Sequence, residues 1–212
     1  MIPSQTYYNE LVNPMTYPEF KSLTEELIVQ GKTTGDEQTE QKISFTKLNQ
    51  QRMKRVEKQF VMQPELSELL AQKNLNWNWL ILVEAWCGDG AQILPAIAAI
   101  AEQTPGIILT VLLRDENPEL MNTCLTNGSK AIPKLICEDA ETGERLFTWG
   151  ARPTAIQQQV VQLKAENPAI AHEELVQQVQ LWYAKDRSQA LQQDLINLVR
   201  EVLEVPSTIA EV

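Results

Sequence analysis

The chain has 212 residues, 43% hydrophobic and 22% charged, the balance of a soluble globular protein with room for one domain and additions. A formal net charge of −10 argues against nonspecific nucleic-acid binding, and no window holds eighteen consecutive apolar residues, so no membrane association is expected. Met1-Ile2-Pro3-Ser4-Gln5 has neither a basic start nor an apolar core; the reading is therefore cytoplasmic, with three cysteines kept as reduced thiols.

Thr16-Tyr17-Pro18-Glu19 has the form of a capping box with proline in the first turn, and Phe20, Leu23, Leu27 and Ile28 follow at helical spacing until Gly31. After a polar loop over residues 32–36, a longer helix is predicted with Phe45, Leu48, Met53, Val56 and Phe60 on one stripe. It also carries Lys47, Arg52, Lys54, Arg55 and Lys58, read as a solvated face or as a partner for acidic surface elsewhere in the fold. Gln63-Pro64 breaks that helix, and Leu66, Leu69 and Leu70 belong to a short third one. Residues 1–75 thus read as an amphipathic helical extension that needs a surface to pack on.

That surface begins at Leu80-Ile81-Leu82-Val83, an apolar run leading into Glu84-Ala85-Trp86-Cys87-Gly88-Asp89-Gly90. Apolar residues resume at helical spacing through Ile100, so a buried strand delivers Cys87 to the start of a helix running to about Gln103. A thiol there feels the positive end of the helix and unpaired N–H groups, which favour the thiolate. Ile107 to Leu113 reads as a strand covered on both faces. A helix follows with Leu120, Met121 and Leu125, ending at Asn127-Gly128. Lys134-Leu135-Ile136-Cys137 and Arg145-Leu146-Phe147-Thr148-Trp149 form a hairpin around Glu141-Thr142-Gly143-Glu144. Gly150 closes it, and Pro153 starts a helix with Ile156, Val160, Val161 and Leu163.

Ala85-Trp86-Cys87-Gly88, Pro95 eight residues after the cysteine, and Ile132-Pro133 ahead of the hairpin together resemble the thioredoxin family. The resemblance covers residues 76–167. It implies an α/β fold, a mixed sheet flanked by helices, with the Ile132-Pro133 bond cis and facing Cys87. There the backbone beside the proline is available to pair with an extended substrate chain. Two departures stand beside the match. The family's second cysteine is Gly90 here, with Asp89 in place of the proline between them, and the family's buried aspartate is Ile81. Monothiol glutaredoxins carry Phe-Ser after Cys-Gly; Asp89-Gly90 does not match, so no iron–sulfur cluster or other cofactor is expected.

By this reading Cys87 is the candidate catalytic residue, and Trp86, Gly88, Asp89, Ile132 and Pro133 are candidates for holding substrate. Glu84 is either a proton acceptor for Cys87 or a solvated strand-end carboxylate. Asp89 and Glu84 disfavour a thiolate while Lys130 and Lys134 offset them, so a modestly perturbed thiol is expected. Cys124 and Cys137 read as small buried thiols. Arg114 and Arg152 are either anion contacts or residues that close a strand or start a helix. His172 reads as an exposed helix-start residue apart from Cys87, and no metal-ligand spacing appears. Of the five tryptophans, Trp86 is expected to be the most exposed.

Beyond Asn167-Pro168, residues 168–212 form a second helical extension, with Asp186-Arg187-Ser188 dividing it and Pro206 ending it. Leu191, Leu195, Leu198 and Val202 mark its apolar stripe, which serves either a second layer over the N-terminal helices or a homodimer surface. Two function classes remain. One is a monothiol thiol–disulfide oxidoreductase or isomerase, forming mixed disulfides with protein or low-molecular-weight thiols that an outside thiol resolves. The other is a redox-inactive module that binds a peptide or protein.

Overall fold

The computed structural model describes residues 11–72 and 75–204. The capping box forms: the Thr16 hydroxyl accepts from the Glu19 N–H at 3.4 Å, and the Glu19 carboxylate accepts from the Thr16 N–H at 2.7 Å, starting α1 (Tyr17–Val29). Thr39 caps α2 (Glu40–Gln59), and Pro64 opens α3 (Pro64–Ala71). The core follows as β1 (Trp77–Val83), α4 (Gly88–Gln103), β2 (Ile107–Leu113), α5 (Pro118–Asn122), β3 (Lys134–Asp139), β4 (Arg145–Gly150) and α6 (Thr154–Glu166). Two further helices, α7 (His172–Asp186) and α8 (Gln189–Glu204), complete the described chain. Arg187 and Ser188 adopt left-handed backbone and make the break between them. Pro206 lies outside the described residues.

The sheet has the order β2-β1-β3-β4. β1 runs parallel to β2 and antiparallel to β3, and β3 pairs antiparallel with β4. Side chains alternate across β1, so it feeds two cores. Trp77, Trp79, Ile81 and Val83 point into a large one with Ile93, Leu94 and Ile97 of α4 and Leu191, Leu195 and Val199 of α8. Leu80 and Leu82 point into a smaller one with Leu112, Met121, Ile136 and Cys87. Each fully buried leucine or isoleucine here contributes roughly 1.5–3 kcal/mol. The terminal helices share the large core rather than standing off it: α2 lies along α4, and α3 packs on α8.

Three sequence expectations need correction. The buried face of α2 carries Thr46 and Asn49 beside Met53 and Val56, while Leu48 is exposed. That face meets loop backbone as well as core, and polar side chains find partners there. β2 is covered at Ile107 and over its later half, but not across residues 108–110. It is an edge strand, Met15 bridges it at Val111 with N–H···O distances of 3.0 and 2.7 Å, and Ile108 stays 63% exposed. The helix after Asn117 stops at Asn122, leaving Leu125 exposed, because Thr126 and Ser129 pair across Asn127-Gly128 in a tight turn.

Candidate functional site

Cys87 is the N-cap of α4, with extended backbone (φ −74°, ψ 115°). Its sulfur accepts from the Gly90 N–H at 3.3 Å, and its S–H donates to the Ile132 carbonyl at 3.4 Å. The Ile132-Pro133 bond is cis. Gly150 lets the end of β4 close against it: φ there is +120°, and a Cβ would stand 2.3 Å from the Pro133 carbonyl oxygen. Ile132 and Pro133 are thus brought beside Cys87, with Pro133 itself buried.

Burial dominates the electrostatics. Cys87 is 7% exposed, and its thiol is pushed up to about 12, first by loss of solvent and then by the Asp89 carboxylate. The Gly90 and Asp89 N–H groups and Arg114 pull the other way without prevailing. The expectation of a modestly perturbed thiol is therefore corrected. The helix start does donate to the sulfur, but a thiolate enclosed by apolar neighbours loses more hydration than two N–H groups return. Cys124 and Cys137 are also buried and raised by burial, and none of the three forms a disulfide.

Asp89 is held by Arg152 through a two-point contact, Nη2 to Oδ2 at 2.6 Å and Nε to Oδ1 at 3.3 Å. Such a fork matches the carboxylate plane. Trp86 is half-buried, more open than the buried Trp77, Trp79 and Trp149. Lys42 Nζ lies 4.4 Å from its ring centroid on α2's side, and Arg114 Cζ lies 5.1 Å from it. Glu84 is neither solvated nor turned to the sulfur. Its carboxyl is buried, accepts from the Asp115 N–H at 3.0 Å and faces Thr34, and burial raises its pKa. Lys134 is buried too, donating to Thr126 Oγ1 at 2.6 Å and to the Gly150 carbonyl at 3.0 Å, and burial lowers its pKa. It faces away from the role of offsetting Asp89.

Two hollows flank this cluster. A cleft of about 450 Å³ opens beside Ile132, between Trp86, Arg114, Lys130 and Arg152. A cavity of about 330 Å³ lies on the other side, between α4, α2, α6 and α7. Cys87, Trp86, Asp89 and Arg152 border both. Gly88 sits under the second, where a Cβ would lie 3.1 Å from Gln180 Nε2 and 3.3 Å from Arg52 Nη1. His172, though exposed, lines that cavity with Cys87, so the two are not in separate regions as expected.

Several residues at the site were missed by sequence reasoning. Asn49 donates to the Ala85 carbonyl at 2.9 Å, and Ala85 N–H donates to Thr34 Oγ1 at 2.9 Å, so the turn before Cys87 is held from α2 and from its preceding loop. Arg55 donates to Gln92 Oε1 at 2.9 Å, and Gln92 Nε2 donates to Gln180 Oε1 at 2.6 Å, tying α2, α4 and α7 together. The Tyr183 side chain is buried beside Asp89 and Arg152, and burial raises its pKa. Nothing in the local sequence marks these contacts, since Gln180 lies 88 residues from Gln92. Among the described residues no group of three or more His, Cys, Asp or Glu side chains is placed to hold a metal ion.

The family described as Thioredoxin matches this sequence over residues 35–169. In three dimensions the chain is similar to a protein of unknown function from Pseudomonas aeruginosa, at 17% identity and a TM-score of 0.56, covering 88% of this chain and 98% of that one. It is also similar to an HIV epitope scaffold at 16% identity and a TM-score of 0.48, over 92% of this chain and 100% of the scaffold. No curated protein matches the sequence. At such identities the structural likeness is one of fold alone.

Proposed function

This chain belongs to the thioredoxin family, and we propose that it works there as a binding module, holding an extended segment of a partner protein in the cleft beside Ile132 without redox turnover. The observation that carries this is the state of Cys87: buried, donating its S–H to the Ile132 carbonyl, and pushed up to about 12. At neutral pH a thiol so placed is thiolate in on the order of one molecule in 10⁵, and the thiolate is the form that attacks disulfides. Gly90 stands where a resolving sulfur is needed, and Glu84 is occupied with Asp115 and Thr34. The cleft keeps what binding requires: an open volume of about 450 Å³, backbone at residues 131–132 and cationic side chains along its wall. The division at residues 76 and 168 belongs to the same reading, with the flanking helices as walls added to a binding core.

Monothiol exchange or isomerisation through Cys87 is the second reading. It is favoured by the Gly90 N–H directed at the sulfur and by the position of Cys87 on the border of the cleft. A protein disulfide, excess dithiothreitol and either the natural chain or Cys87→Ser separate the two. Equal, background-level turnover is expected from both proteins. Turnover by the natural chain that Cys87→Ser loses establishes the exchange reading instead.

A further inference from the structure

The cavity on the far side of Cys87 from the Ile132 cleft is built largely by α2, α6 and α7 around the first turn of α4. Its volume of about 330 Å³ falls at the lower end of small-molecule sites. Phe45, Val160, Leu175, Val176 and Val179 give it an apolar lining, and its polar end is Arg52 with the start of α4. An apolar hollow with a few convergent polar groups is the usual form of a ligand site.

Of the two guanidiniums at that polar end, one contacts a carboxylate and one does not. Arg152 is taken up by Asp89 in the two-point contact. Arg52 has no ion-pair partner among the described residues; its Nη1 donates to Asn49 Oδ1 at 2.8 Å. The same Nη1 stands over the first residue of α4, 3.3 Å from where a Gly88 Cβ would be, and Arg55 adds a like charge nearby. A cation at the positive end of a helix is in the place that an anion favours. In a chain of net charge −10, this leaves one partly buried guanidinium with no carboxylate in contact, acted on at longer range by Asp89, at the end of an apolar cavity.

We infer that this cavity binds a small organic monocarboxylate, with its carboxylate on Arg52 and the first turn of α4 and its apolar body along α7. A single charge fits because Arg52 is the guanidinium lining the cavity with no carboxylate in contact, and Asp89, which is held by Arg152 and already acts on Arg52, opposes a second negative charge. The guanidinium fork suits the planar head group. Lys164 and His172 are exposed at the rim and remain solvated. This site lies on the other side of Cys87 from the proposed peptide cleft and shares Trp86, Cys87, Asp89 and Arg152 with it as a wall.

The test titrates octanoate into the full chain, followed by calorimetry and by tryptophan fluorescence, since Trp86 lines the cavity. Octan-1-ol and inorganic phosphate serve as tail-only and head-only controls. Saturable one-to-one binding of octanoate is expected, with both controls much weaker. Arg52→Gln is expected to weaken it by at least about tenfold, the loss of a charge-assisted contact, and Arg52→Lys to restore part of it. Val176→Trp, which fills the hollow from a half-buried position, is expected to abolish binding, and amide shifts in the natural chain should map to α2, α4 and α7. Absence of saturable binding by the natural chain overturns the inference. So does equal binding of octanol or phosphate, or unchanged affinity in a folded Arg52→Gln protein.

Discussion

Asn49 and Cys87 show how much single side chains depend on partners far along the chain. Asn49 is an amide on the inward face of α2, a position that an apolar stripe assigns to a hydrophobe. It is stable there because it donates to the Ala85 carbonyl at 2.9 Å and its own Oδ1 accepts from Arg52 at 2.8 Å. Thr46 lies one turn earlier with its hydroxyl 2.6 Å from that of Thr33, a second polar residue on the same face. Hydrophobic periodicity counts apolar residues, so Thr46 and Asn49 were not legible as buried. Asn49→Ala is predicted to cost about 1–3 kcal/mol in chemical denaturation, because the Ala85 carbonyl is left buried without its donor. A loss within a few tenths of a kcal/mol would show that the turn before Cys87 does not rest on this contact. For Cys87 itself the position at a helix start was plain in the sequence, but the direction of its pKa was not. Local spacing reveals the N–H groups that lower it; the enclosure that raises it comes from residues in β3, α5 and the segment around Ile132.

Among the elements, α4 was the most legible. Its bounds follow from Cys87-Gly88 at one end and Pro105-Gly106 at the other, and its apolar spacing is unbroken between them. The helix after Asn117 was less so, because Leu125 extends the helical spacing while the Thr126–Ser129 pairing ends it. How closely α4 meets β1 was not legible at all, and it decides what a restored dithiol would do. A Cβ on Gly90 would lie 3.4 Å from Cys87 Cβ and 3.6 Å from its sulfur, close to the spacing of a disulfide pair. The same Cβ would stand 2.6 Å from Val83 Cγ2, closer than a packed core tolerates. Gly90→Cys alone is predicted to destabilise the protein by roughly 1–3 kcal/mol through overpacking. Adding Val83→Ala should raise the melting temperature of Gly90→Cys, although Val83→Ala alone lowers that of the natural chain. The double variant should then lose two free thiols on mild oxidation. A Gly90→Cys protein as stable as the natural chain would show that Val83 does not limit this position.

On the scale of the whole molecule, the added helices change what a thioredoxin-like core presents. The order strand, helix, strand, helix, hairpin, helix was legible from apolar runs and from Gly and Pro punctuation, and it places Cys87 and Ile132 together. The cover over the start of α4 was not, because it depends on Gln180 and Arg52 meeting over Gly88 from positions 128 residues apart. The sequence left open whether the terminal helices form a second layer; α3 on α8 and α2 on α4 make that layer within the chain. No helix among the described residues is long and apolar enough to cross a membrane. This architecture holds Cys87 as a neutral, buried thiol, a state that the pH dependence of its alkylation reads out. With the modified residue identified by mass spectrometry, the rate at Cys87 is predicted to stay low through neutral pH and to climb only above about pH 10, following a thiol pushed up to about 12. A midpoint at or below about 8.5, the value of a free thiol, would show that Cys87 is not held as a neutral, enclosed thiol.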